Sequence, residues 1–163
     1  MNIVVNSTPL ISLAILNQLG LFQKFFNNVI IPNSVYDECI LNGKDKTGFD
    51  ALSFVDWFHI MSAVNIGMKQ SIMIELDEGE AEVITIAKER NISLVCIDEF
   101  AGRQYAKLLG LDVIGTLGIL LLAKQNGCIA DLKPLFQNLI SSNRHISKTL
   151  CNQILKKAGE SDI

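Results

Sequence analysis

Four short apolar runs, each followed by a helical pattern, constrain this chain more than any other feature of it. They are IVV (3–5), NVIIP (28–32), ISLVCIDE (92–99) and LDVIGT (111–116). Such runs, rich in β-branched residues and uninterrupted by polar ones at their centres, read as strands buried on both faces of a parallel sheet. The helical patterns are LISLAILNQLG, closing at Gly20, LFQKFF, SVYDECILNG with Ser34 as a candidate cap and a stop near Gly43, AEVITIAKERN, FAGRQYAKLLG, GTLGILLLAKQNG, ADLKPLFQNLISS and KTLCNQILKKAG. Short strands alternating with helices make βα units around a parallel sheet. ALSFVDWFHIM (51–61) is apolar but of undecided type, and GKDKTGFD (43–50) reads as a polar surface loop.

No internal repeat, low-complexity tract or interior linker divides the 163 residues, so a single domain over 1–163 is expected, with 137–163 as a C-terminal helical extension. A hydrophobic fraction of 49% against 19% charged excludes a disordered chain. It also suits an apolar surface covered by a partner, including a second copy of the chain. With a net charge of −3, a broad basic nucleic-acid surface is not indicated. An acidic protein acting on RNA would need bound cations and a local basic rim. Cys39, Cys96, Cys128 and Cys151 are scattered in apolar surroundings without a CxxC, and His59 and His145 lie far apart. Free thiols in a reducing compartment are expected rather than zinc. The N-terminus lacks the basic stretch of a signal peptide and no apolar run spans a bilayer, so the expected location is cytoplasmic, without membrane contact.

The polar residues at the strand ends carry the chemistry. Asn6 ends the first strand, Glu38 follows the second, Glu80 opens the helix leading into LVCI, and Asp98 is the first charge after that run. In open α/β sheets, ligands bind outside the carboxyl ends of the strands. Hard divalent ions prefer carboxylate oxygens and water. One or two such ions can activate a water and stabilise both charged oxygens in phosphodiester hydrolysis. Each residue also has a plainer reading: Asn6 as a cap or Asx-turn, Asp98 as a cap or turn residue, Glu80 as first-turn dipole compensation, Glu38 as a solvated helix position. Arg103 suits a phosphate contact or an ion pair with an acid. Thr116, between a strand and a helix, suits capping or a phosphate contact. Ser7 and Thr8 are candidate caps of the first helix, with Pro9 in its first turn. Neither GxxxxGK[ST] nor GxGxxG is present, and with no phosphate-accepting Asp or cofactor pocket evident either, a metabolic or response-regulator-like domain is disfavoured.

In combination, IVVNSTPLISLAILNQLGLFQKFFNNVIIPNSVYDE, LDEGEAEVITIAKERNISLVCIDEFAGRQYAKLLGLDVIGTLGILLLAKQNG and ISKTLCNQILKKAGE resemble the PIN-domain family. The similarity is greatest to short prokaryotic members with a GEAE segment followed by DExxGR. The resemblance implies a three-layer α/β/α sandwich on a central parallel sheet of four or five strands. It implies a Mg²⁺- or Mn²⁺-dependent ribonuclease, in many prokaryotic members the toxin of a toxin–antitoxin pair and a dimer. RNA is then the substrate, and an antitoxin protein and a homodimer are the implied partners. The family's acids fall on Asn6, Glu38, Glu80 and Asp98, with Glu82 and Glu99 as neighbouring alternates; Arg103 matches a residue common in the subgroup. The departure is Asn6, where the family carries an acid. An amide keeps one oxygen donor but loses the charge and the basicity. Two expectations follow: a metal-dependent endoribonuclease of reduced activity, or a weak or inactive PIN-like protein that binds nucleic acid or protein.

Overall fold

The structure is a computed structural model and describes residues 1–42, 48–53, 55–144 and 146–163. Most of the polar stretch expected as a surface loop, Gly43 at the expected helix stop, and His145 lie outside the described residues. Five strands pair in parallel: β1 (Asn2–Val5), β2 (Asn28–Pro32), β3 (Phe58–Met61), β4 (Leu94–Cys96) and β5 (Asp112–Ile114). Their order is β3-β2-β1-β4-β5. Val4 stands opposite Ile30 on one side and Val95 on the other, so β1 is central. Ile3, Val4 and Val5 are fully buried, as the uninterrupted apolar run requires.

Helices flank this sheet as an α/β/α sandwich. They are α1 (Ser7–Ile15), α2 (Gly20–Phe25), α3 (Asn33–Tyr36), α4 (Phe49–Ser53) and α5 (Ile66–Ile72). After them come α6 (Glu78–Glu89), α7 (Phe100–Leu108), α8 (Thr116–Gln125), α9 (Lys133–Ser141) and α10 (Lys148–Lys157). The undecided segment ALSFVDWFHIM is shared between the end of α4 and the edge strand β3. The helix expected over SVYDECILNG is two pieces, α3 and a π-helical turn over Asp37–Leu41. Wide turns of this kind are often found near functional sites. Helix α6 packs against β1, β2 and β4 and so sits under the centre of the sheet. Phe136 and Leu139 of α9, and Cys151 and Leu155 of α10, are fully buried in the same core as the strands. Among the described residues, no helix is long and apolar enough to cross a membrane.

The strand order fixes where a site can form. From β1 the chain moves outward through β2 to β3, then returns to place β4 on the opposite side of β1. The connections leaving β1 and β4 therefore diverge, and a crevice opens between them at the carboxyl edge.

Candidate functional site

Beyond that edge, the ladder continues by one bond on each side. The Asn6 N–H donates to the Cys96 carbonyl at 3.0 Å, and the Ile97 N–H to the Ile114 carbonyl at 3.0 Å. Asn6 and the Asp98–Glu99 pair are thereby held as the first side chains past the sheet. Asn6 occupies the cap position of α1, but its side chain makes no capping bond, and neither Ser7 nor Thr8 is the cap. Only 2% of Asn6 is exposed. Its Nδ2 donates to Glu99 Oε2 at 3.4 Å, while its Oδ1 is buried with no hydrogen-bond partner. The Thr8 hydroxyl donates to Glu99 Oε1. Glu99 thus receives donors from two of the three residues that follow β1, Asn6 and Thr8.

Glu80 enters from below, through the first turn of α6. Asp77 and Glu80 form a reciprocal capping box: the Glu80 N–H donates to Asp77 Oδ1 at 2.8 Å, and the Asp77 N–H to Glu80 Oε2 at 3.4 Å. The other oxygen, Oε1, is buried and unpartnered. Burial, then the negative charges of Asp77 and Glu99, push the Glu80 carboxyl up to about 7, with the Asp77 and Gly102 N–H groups opposing. This carboxyl therefore takes up a proton far more readily than an ordinary glutamate.

Asp98 is committed to the next helix. It accepts from the Thr116 N–H at 2.7 Å and from the Thr116 hydroxyl at 2.6 Å, one bond to each oxygen. The carboxylate thereby caps α8 from a neighbouring loop, and Thr116, itself buried, is spent on it. Burial raises the Asp98 proton affinity; Thr116 and Arg103 oppose the rise, and Glu99 adds to it. Arg103 turns inward, its Nη1 donating to the Ile97 carbonyl at 2.7 Å.

Glu38 is exposed on the π-helical turn and lines a cleft of about 680 Å³ with Ser34, Lys69, Asp77, Gly79 and Glu82, not the cleft that Asp98 lines. Glu82, one of the alternates, ties two segments together: it accepts from the Ser34 N–H at 3.0 Å and the Ala63 N–H at 3.1 Å. Those bonds and Lys69 outweigh its burial and hold its carboxyl below the usual range. Ser34, expected as a cap, instead has its backbone N–H capped by Glu82.

Three glycines of the GEAE, DExxGR and GTLG segments explain how these groups approach. A Cβ on Gly79 would lie 3.0 Å from Asn6 Oδ1, and one on Gly115 would lie 2.6 Å from Asp98 Oδ1 and 2.9 Å from Arg103 Nη1. A Cβ on Gly102 would overlap Glu80 Oε1 and stand 3.0 Å from Ile97 Cγ2. Each motif glycine leaves room for one or two polar side chains of the site. Residue types at the strand ends do not reveal this; glycine spacing within those segments is the signal that does.

The donor set can be compared with what a hard divalent ion needs. Asn6 Oδ1 accepts no hydrogen bond, as such an ion requires, and Glu80 Oε1 has only the Gly102 N–H close by. Against this, each Asp98 oxygen already accepts a bond from Thr116, which leaves about two of the carboxylate's four acceptor positions, and Glu38 lines another cleft. Among the described residues, no three His, Cys, Asp or Glu side chains stand together as a metal-holding group. As arranged, the residues do not fit the ion implied by the resemblance. What the edge does offer is a cleft of about 600 Å³ lined by Thr8, Asp98, Glu99, Phe100, Arg144 and Leu150.

Compared with known proteins, residues 2–160 match the model of a family described as a PIN domain (DUF3368). No curated protein matches the chain.

Proposed function

The chain belongs to the PIN-domain family, and on that premise we propose that it binds RNA at the β1–β4 crevice and cuts it weakly or not at all. The observation that carries this reading is the state of the acids. At position 6 an amide donates to Glu99, and at position 98 both carboxylate oxygens are held by Thr116. Hydrolysis in this family depends on acids free to hold a cation. Here one has no charge and another serves as a helix cap. The groups that remain suit binding: Glu99 at the crevice floor accepts hydrogen bonds, and Arg144 at its wall supplies a cation.

A second reading, a Mg²⁺- or Mn²⁺-dependent endoribonuclease of the toxin type, is favoured by one observation. Asn6 Oδ1 and Glu80 Oε1 are both buried and both lack a hydrogen-bond partner, and such acceptors are costly unless something fills the space between them and the solvent. An antitoxin protein and a homodimer belong to that reading. The two are separated by incubating a labelled single-stranded RNA with the protein in Mn²⁺, alongside Asn6→Asp and Asp98→Asn. The binding reading expects retention of RNA, no cleavage by the wild type above that of Asp98→Asn, and gain of cleavage in Asn6→Asp. Cleavage by the wild type that Asp98→Asn abolishes would establish the nuclease instead.

A further inference from the structure

We propose that Phe100 and Glu99 form a subsite for a single unstacked nucleobase of RNA, with guanine the preferred base; this rests on the RNA-binding reading. Phe100 is the first residue of α7, it lines the crevice, and 77% of it is exposed. A phenylalanine so exposed beside a polar floor is unexplained by packing. Aromatic rings at such rims stack bases, whatever the sequence.

Its chain neighbour gives the selectivity. Glu99 lines the same cleft and takes one donor on each oxygen, from Thr8 and Asn6. A carboxylate has about four acceptor positions, so roughly two remain. Guanine presents two adjacent donors on its Watson–Crick edge, the N1 and N2 hydrogens, which match a carboxylate in parallel. Uracil presents one donor between two carbonyls, which a carboxylate repels. The carboxylates of Asp98 and Glu99 also repel phosphates, so the backbone must pass where a cation lines the cleft. Arg144 stands there: its Nη2 donates to the Thr8 carbonyl at 3.4 Å, which uses one of its five donors. Ser147 and the exposed Leu150 also line the cleft, which at about 600 Å³ has the size of a small-ligand site.

The test uses the full chain in EDTA, so that no cleavage intervenes, and fluorescence anisotropy with labelled pentanucleotides AAXAA. Wild type should bind X = G about tenfold more tightly than X = U. Phe100→Ala should weaken every pentanucleotide by roughly tenfold, and Phe100→Tyr should restore binding. Glu99→Gln should bring G and U to equal affinity. Equal affinity for all X in the wild type, or full affinity in Phe100→Ala, overturns the subsite while RNA binding itself stands. Absence of binding to any of these and to a longer single-stranded RNA overturns both. Thermal unfolding of each variant, with Phe100→Ala expected to match the wild type because the ring is exposed, separates a lost contact from a lost fold.

Discussion

At position 6 an amide and a carboxylate differ by one donor and one charge, and both differences are used. The Asn6 amide turns its donor toward Glu99, and an Asp there would face Glu99 with like charge, with Glu80 also nearby. Asn6→Asp should therefore lower the melting temperature in EDTA, by the equivalent of about 1–2 kcal/mol, and Mn²⁺ should restore it. A melting temperature unchanged in EDTA would mean that the Asn6–Glu99 contact contributes nothing. Glu80 provides a second test at this scale. Its ordinary value is 4.5 and its folded value about 7, so between those two pH values only the folded state holds the proton. Stability contributed by that proton declines as pH rises through the window. Glu80→Gln keeps the capping box and removes the titration. It should match the wild type near pH 4.5 and exceed it at pH 8 by about 1–3 kcal/mol in urea denaturation; an offset equal at both pH values would contradict the burial argument. The sequence makes the missing acid at position 6 visible, because the surrounding pattern sets the expectation of a charge. It does not make visible that Asp98 is bonded to Thr116, because strand-end acids look alike whether they cap a helix or stand free.

Among the elements, β1, β2 and β4 are legible as apolar runs because they are largely buried between helices, and β5 is legible although it is a half-buried edge strand. β3 is less so: it lies at the sheet edge, His59 and Ile60 are exposed, and the apolar run that contains it also supplies α4. The break between α3 and the π-helical turn is also illegible, since a widened turn leaves the helical spacing almost unchanged. Glu82 joins elements distant in sequence, linking the start of α3 to the segment after β3. Glu82→Ala should cost about 2–4 kcal/mol, because two backbone donors lose their charged acceptor; a cost under about 1 kcal/mol would mean water replaces it. Gly102→Ala tests the other joint. Its Cβ would displace the Glu80 carboxyl and press on Ile97, so it should destabilise the wild type more than it destabilises the Glu80→Ala background, in which the carboxyl is absent.

For the whole molecule, the strand order brings Asn6 to Glu99, whose neighbour Asp98 lines one cleft, while Glu38 lines another, and no local pattern in the sequence reports that arrangement. The same arrangement sets the pH dependence of the fold. Glu80 withdraws stability as pH rises from 4.5 to about 7, and the raised Asp98 acts in the same direction. Glu82 and Glu160 act oppositely. Hydrogen bonds and lysines overcome the burial of both and hold them low, so their contributions are complete above the ordinary glutamate value and lost as pH falls through their own lower ones. Glu160 matters because it accepts from the Leu132 and Lys133 N–H groups and from Lys124, fixing the C-terminal helices to the core. The melting temperature should peak at about pH 5 and decline toward pH 8; a steady rise from pH 5 to pH 8 would contradict this. The most direct measurement is a calorimetric titration of the wild-type protein with Mn²⁺ at pH 7, beside Asp98→Asn and Asn6→Asp. With no charge at position 6 and Asp98 bonded to Thr116, wild type should bind no more Mn²⁺ than Asp98→Asn, and Asn6→Asp should bind more than either. Saturable binding by the wild type that Asp98→Asn removes would contradict it.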